Sequence, residues 1–295
     1  MSGTHEAATN TPRYLARSIG RDLSRAEALA CIAVEAEAAR VTNELEAAGA
    51  SFAILKGPWL AELWRRDGRQ RYYTDVDVLV ADDRRDLVVS VLLENPSRRL
   101  VQSAYPLPAE VTILEHRTNA SVDLQTHTLH EPELRDAFPI DTTEMLSRRR
   151  VVTAAGWSFP ALDAVDNLIH VCLHALRWDP LAARSAMDVH ACATHDAIDW
   201  DLLVDRCRQT RTGLVVAAML DRSSSLLATR VPRRTRGELA PLLGWRGILR
   251  LVNRWRPAAQ AAGRSFSGGS LFRSTRASTT GSILTLIRDQ CAGET

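Results

Sequence analysis

The chain has 295 residues, 45% hydrophobic and 24% charged, so it can bury a sizeable core in one large domain or two smaller ones. A formal net charge of +2 excludes a polycation that coats nucleic acid over its whole surface, and any basic partner surface is local. No stretch reaches the roughly 18 apolar residues that span a bilayer, and the start Met1-Ser2-Gly3-Thr4-His5-Glu6 lacks the charged-then-apolar pattern of a secretion signal, so a cytoplasmic location without a membrane partner is expected.

Residues 1–20 are polar and weakly patterned. From about Arg21 to Ala48, Leu23, Ala26, Ala30, Val34, Ala38, Val41 and Leu45 recur at steps of three or four, which predicts a long amphipathic helix. Ala48-Gly49-Ala50 ends it, and Ser51 to Leu55 reads as a short buried strand. Proline is tolerated in a first helical turn, so Pro58 to Arg66 predicts a helix starting at a Lys56-Gly57 corner. After the Asp67-Gly68 turn, Tyr72 to Val80 predicts a second strand, and Asp82 to Glu94 a helix stopped at Asn95-Pro96. Three further strands are expected at Arg99 to Tyr105, Val111 to His116 and Ala120 to Thr126. Residues 161–178, 181–195, 199–210 and 212–229 are helical in pattern. The five cysteines, Cys31, Cys172, Cys192, Cys207 and Cys291, show no Cys-x-x-Cys spacing and read as reduced core thiols. From Val231 to Gly281 the only acidic residue is Glu238, among ten arginines, with Ser/Gly/Thr-rich stretches at 265–270 and 274–282.

The acidic residues carry the chemistry. Side chains alternate along a strand, so Asp75 and Asp77 project from one face, and the apolar residues Val76, Val78, Leu79 and Val80 argue that this strand is buried. Two crowded carboxylates repel and lose hydration, a cost that a divalent cation relieves, and magnesium suits oxygen ligands. A solvated strand end with two ordinary aspartates is the plainer alternative. Asp123 lies in another short apolar strand, where an unpaired acid would be costly. Three such acids could hold two metal ions about 4 Å apart, the arrangement that clamps attacking and leaving oxygens in phosphoryl transfer. Lysine occurs once in the chain, at Lys56, among arginines, and a compact ammonium suits a polyphosphate tail in a tight pocket.

Ile54-Leu55-Lys56-Gly57, then Arg71 before Asp75-Val76-Asp77-Val78-Leu79-Val80, then Val122-Asp123-Leu124, resembles the uncharacterised nucleotidyltransferase family of the polymerase-β superfamily, over roughly residues 50–195. The resemblance implies an α+β fold: a minimal nucleotidyltransferase mixed sheet with an N-terminal helix and a helical C-terminal region. The division expected is a lead-in at 1–50, the core at 51–160, and a helical region with its basic tail at 161–295. It further implies two Mg2+ ions on Asp75, Asp77 and Asp123, with Asp123 helping to activate an acceptor hydroxyl, and an NTP whose phosphates meet Lys56, Gly57 and Arg71. Transfer of NMP to a small-molecule acceptor is the expected activity, with toxin-like transfer to RNA and a non-catalytic nucleotide-binding scaffold as alternatives. Two departures stand out. The usual Gly-Ser or Gly-Gly turn is Lys56-Gly57-Pro58 here, and Gln125 occupies a position where the family often has histidine, leaving His127 as a substitute.

Other residues stay open between roles. His170 and His174 lie four apart on one predicted helix, a spacing that suits zinc, core packing or a groove. Asp188 could reach the nucleotide or acceptor, or pair with a buried arginine. Arg71 could hold a phosphate or neutralise the acids, and Trp59 and Trp64 read as core rather than base-stacking platforms. The arginine-rich tail offers a surface for RNA, a phosphorylated partner or an acidic carrier, or a solvated face.

Overall fold

Three sheet pairings, two antiparallel and one parallel, set the centre of the molecule, a computed structural model that describes residues 22–101, 110–129, 132–178 and 183–239. The first helix, α1 (Arg25–Ala47), is started by Ser24, whose hydroxyl accepts from the Glu27 N–H while the Glu27 carboxylate accepts from the Ser24 N–H. Val34, Ala38, Val41 and Leu45 form its fully buried stripe. Burying each of the larger ones contributes about 1.5–3 kcal/mol. Strand β1 (Phe52–Leu55) follows, buried along its whole length. The corner at Lys56 leads into α2 (Gly57–Arg66), then β2 (Asp75–Val80), a 3-10 turn at Asp82–Arg84 and α3 (Arg85–Leu93).

β3 (Arg98–Val101), β4 (Glu110–Glu115) and β5 (Ala120–Gln125) form an antiparallel meander. Two short helices, α4 (Pro132–Ala137) and α5 (Thr142–Ser147), lead to a hairpin of β6 (Arg150–Ala154) and β7 (Trp157–Ala161). Five helices complete the described chain: α6 (Ala164–Trp178), α7 (Ala183–His195), α8 (Trp200–Gln209), α9 (Gly213–Leu227) and α10 (Arg233–Leu239). The sheet order is β3-β4-β5-β2-β1-β7-β6. β2 pairs in parallel with β5, and β1 with β7, so the sheet is mixed. The fold is the expected α+β one: a mixed seven-stranded sheet, an N-terminal helix packed on it and helices after it.

Several elements differ from the sequence reading. β2 begins at Asp75, not Tyr72, because β1 is only four residues long and pairs Leu55 with Asp77, leaving Tyr72 to Thr74 without a ladder partner on that side. The hairpin at 150–161 and helices α4 and α5 went unnoticed within the expected core, and α10 lies at the start of the arginine-rich stretch. Tyr105 and the tail from residue 240 onward, with Cys291, fall outside the described residues. The other four cysteines are free and buried, and burial pushes all four thiols upward, Cys207 to about 12. No helix among the described residues is long and apolar enough to cross a membrane.

Candidate active site

The register of two parallel strands assembles the acids. β2 and β5 pair Asp75 with Ser121 and Asp77 with Asp123. Neighbouring strands run about 4.8 Å apart and residues two apart share a face, so three carboxylates converge there. Their oxygens lie within 4.8 Å of one another, the single such group of three or more His, Cys, Asp or Glu among the described residues.

This concentration of charge is incompletely neutralised. Lys56 Nζ lies 2.9 Å from Asp77 Oδ2, both side chains being about nine-tenths buried. Gln125, two residues beyond Asp123 and on the same face of β5, donates from Nε2 to Asp77 Oδ1 at 2.6 Å. Thr112, opposite Asp123 on β4, hydrogen-bonds that carboxylate, yet Asp123 Oδ1 is buried without a hydrogen-bond partner. Burial, and then the charge of Asp77, push the Asp123 carboxyl up to about 7. The Asp77 carboxyl is also raised, because its burial outweighs the attraction of Lys56. An all-oxygen cluster with one orphaned oxygen and mutually repelling acids fits a hard divalent cation, which would supply the missing partner and the missing charge.

Lys56 is delivered by backbone geometry. It follows Leu55, the residue registered against Asp77, and it turns at φ 44°, ψ −108°, with Gly57 at φ 20°. A non-glycine residue in that region costs on the order of 1–3 kcal/mol and persists where its surroundings over-determine it. Here a buried strand precedes it and a helix with seven buried residues follows. A pocket of about 150 Å³ opens at this corner. Its walls include Lys56, the three aspartates, Glu110 and Gln125 from the sheet side, Thr128 from the loop after β5, and His170, Leu173 and His174 from α6.

Other expected site residues sit elsewhere. Arg71 forms a two-pronged pair with Asp188, at 2.8 and 3.1 Å, and the Trp64 indole donates to the same carboxylate at 2.9 Å. Asp188 is therefore the buried partner of an arginine, and Arg71 is not among the residues lining the pocket. Trp59 and Trp64 are core residues, 7% and 4% exposed. His127 bonds the Ile140 carbonyl through Nε2 and accepts the Leu129 N–H at Nδ1, which ties its loop together outside the pocket. His170 and His174, by contrast, both reach the pocket, their ring centroids 6.2 Å apart. Glu110, Thr112 and Thr128 escaped the sequence reading. Period-two spacing of Glu110 and Thr112 in a strand neighbouring Asp123 was the signal available for the first two.

No curated protein matches the chain significantly. Among solved structures it is similar to the antibiotic-resistance factor ANT(2'')-Ia, in a solution structure 13% identical with a TM-score of 0.39, covering 65% of this chain and 96% of that one. It is also similar to ANT(2'')-Ia crystallised with adenylyl-2''-tobramycin, at 12% identity and a TM-score of 0.38, with 62% and 95% covered. An antigenic nucleotidyltransferase-like protein from Paracoccidioides brasiliensis is 16% identical with a TM-score of 0.41, over 71% of this chain and 95% of that one. The family described as uncharacterised nucleotidyltransferase matches residues 7–228, a span containing every described part of the acidic cluster and its pocket. The chain belongs to this uncharacterised nucleotidyltransferase family.

Proposed function

We propose that the chain transfers NMP from an NTP to a hydroxyl of a small-molecule acceptor, such as a natural-product intermediate, with Mg2+ as the metal. The observation that carries this reading is the convergence of Asp75, Asp77 and Asp123 beside Lys56, with an orphaned buried oxygen on Asp123. Bound Mg2+, two ions being expected, would neutralise charge on the phosphates and on the attacking and leaving oxygens. Asp75, Asp77 and Asp123 are the residues to hold it.

The chain's own groups then divide the work. Gln125 fixes the rotamer of Asp77, and Thr112 that of Asp123. Asp123 is the carboxylate to receive the acceptor's proton. The acceptor oxygen forms a bond to the α-phosphorus as the bond to the β-phosphate oxygen breaks, and pyrophosphate leaves. Lys56 and the start of α2, with Gly57, meet the leaving phosphates, where a helix N-terminus favours negative charge. Arg71, held by Asp188, supports the nucleotide side through its charge near Asp75.

Incubation with each α-labelled NTP, Mg2+ and candidate hydroxyl acceptors, scored for label transfer and pyrophosphate release, tests the reading. Asp77→Asn and Lys56→Ala should each lower the rate by about 100-fold or more while circular dichroism stays unchanged. Transfer at the original rate in both variants would place the chemistry elsewhere.

A further inference from the structure

We infer that Thr128 is a phosphate-binding residue: its hydroxyl, with the imidazoles of His170 and His174 on the same pocket, holds non-bridging oxygens of the substrate triphosphate. The inference deepens the nucleotidyl-transfer reading and rests on it.

Thr128 is 5% exposed, lines the pocket, and its Oγ1 is buried with no hydrogen-bond partner. Buried hydroxyls in folded proteins are almost always satisfied, so such an orphan calls for an explanation. Local slack is excluded as one. The Thr126 carbonyl accepts from the Thr142 hydroxyl at 3.0 Å, and His127 bonds both the Ile140 carbonyl at 3.0 Å and the Leu129 N–H at 2.9 Å. Leu129 itself is buried in the core. The chain is thus pinned on both sides of Thr128 while its hydroxyl is left unpaired in the pocket wall. That is how a preorganised donor is built, since no loop ordering is needed when the ligand arrives.

The charge balance of the pocket points to the ligand. Its walls carry four carboxylates, Asp75, Asp77, Asp123 and Glu110, against one ammonium, and that ammonium is paired with Asp77. The Arg71 guanidinium is engaged by Asp188. Gln125 donates to Asp77. The wall made by Thr128 and α6 brings a hydroxyl and two imidazoles to the same pocket. A hydroxyl and imidazole N–H groups can bind phosphate oxygens there without adding to the repulsion from the acids.

The test is titration calorimetry of the full chain with Mg2+ and the α,β-methylene analogues of the four NTPs, beside the matching nucleoside monophosphates. Thr128→Val should weaken triphosphate-analogue binding about tenfold, leave monophosphate binding within about twofold, and be restored by Thr128→Ser. His174→Gln, at a half-buried position, should weaken the triphosphate analogue in the same selective way. If the unaltered chain binds none of the analogues, the nucleotidyl-transfer reading fails and takes the inference with it. If the unaltered chain binds and Thr128→Val binds equally well, or loses monophosphate to the same extent, the phosphate role alone is overturned. Should Thr128→Val not fold, Thr128→Ala with His174→Gln decides by the same comparison, unchanged affinity in both overturning it.

Discussion

Asp123 illustrates how much one side chain can report. Its carboxyl is raised to about 7 by burial and by Asp77, against an ordinary value near about 4 in the unfolded chain. The folded protein therefore holds more protons than the unfolded one between those values, and this group's contribution to stability is lost as pH rises through about 7. In chelator, the thermal midpoint should fall between about pH 4 and 7, Asp123→Asn should flatten that fall, and Mg2+ should raise the midpoint most at the alkaline end. Equal slopes for the two proteins would mean that Asp123 is not crowded by other acids. Asp75 and Asp77 were legible as a pair because strand alternation fixes which neighbours share a face, and Asp123 because an acid in a short apolar strand calls for a partner. Gln125 was legible as a departure from the family pattern but not its bond to Asp77, and Thr112 and Thr128 were not legible, since these roles depend on the register between strands and on a loop tied down by His127 and Thr142. Arg71 has a partner that no local pattern reveals. Its position before Asp75 left it between holding a phosphate and neutralising the acids, and the fold adds a partner 117 positions away, Asp188, against its guanidinium.

At the scale of elements, long periodic segments were readable and short ones were not. Helix α1 repeats its apolar step over 23 residues, enough to announce itself, while α4 and α5 have six residues each and offer too few turns to show a period. The β6–β7 hairpin is closed by Ala155 and Gly156 at φ 52° and 82°, the left-handed pair that matches strand twist in a two-residue turn. Ala-Gly is a weak signal beside Asn-Gly, so the turn passed unnoticed. Nothing lies within 4 Å of where a Cβ on Gly156 would sit, so Gly156→Ala meets no steric clash and costs only backbone strain. We expect a loss of about 1–2 kcal/mol in chemical denaturation with nucleotide affinity unchanged. Unaltered stability would show that the turn relaxes to another geometry.

Across the whole molecule, the pocket crosses the division proposed from sequence at residues 1–50, 51–160 and 161–295. Carboxylates come from β2 and β5, and the histidine wall comes from α6, so sheet and later helices complete one site together. Transfer to RNA, the second reading of the family resemblance, rests on the arginine-rich stretch, of which Arg233, Arg234 and Arg236 are described and the remainder lie beyond residue 239. Arg234 already pairs with Glu238, which also meets Arg208. Replacing Arg250, Arg254 and Arg256 with glutamine should leave transfer to a small acceptor unchanged. Abolished binding of a labelled RNA in that variant would favour the second reading. Finally, a chain with a single lysine has its only ε-amine seated at the strained corner beside Asp77. Protein grown on isotopically labelled lysine would show one side-chain signal in a magnetic resonance spectrum, with no assignment to make, and that signal would move as cation and nucleotide arrive.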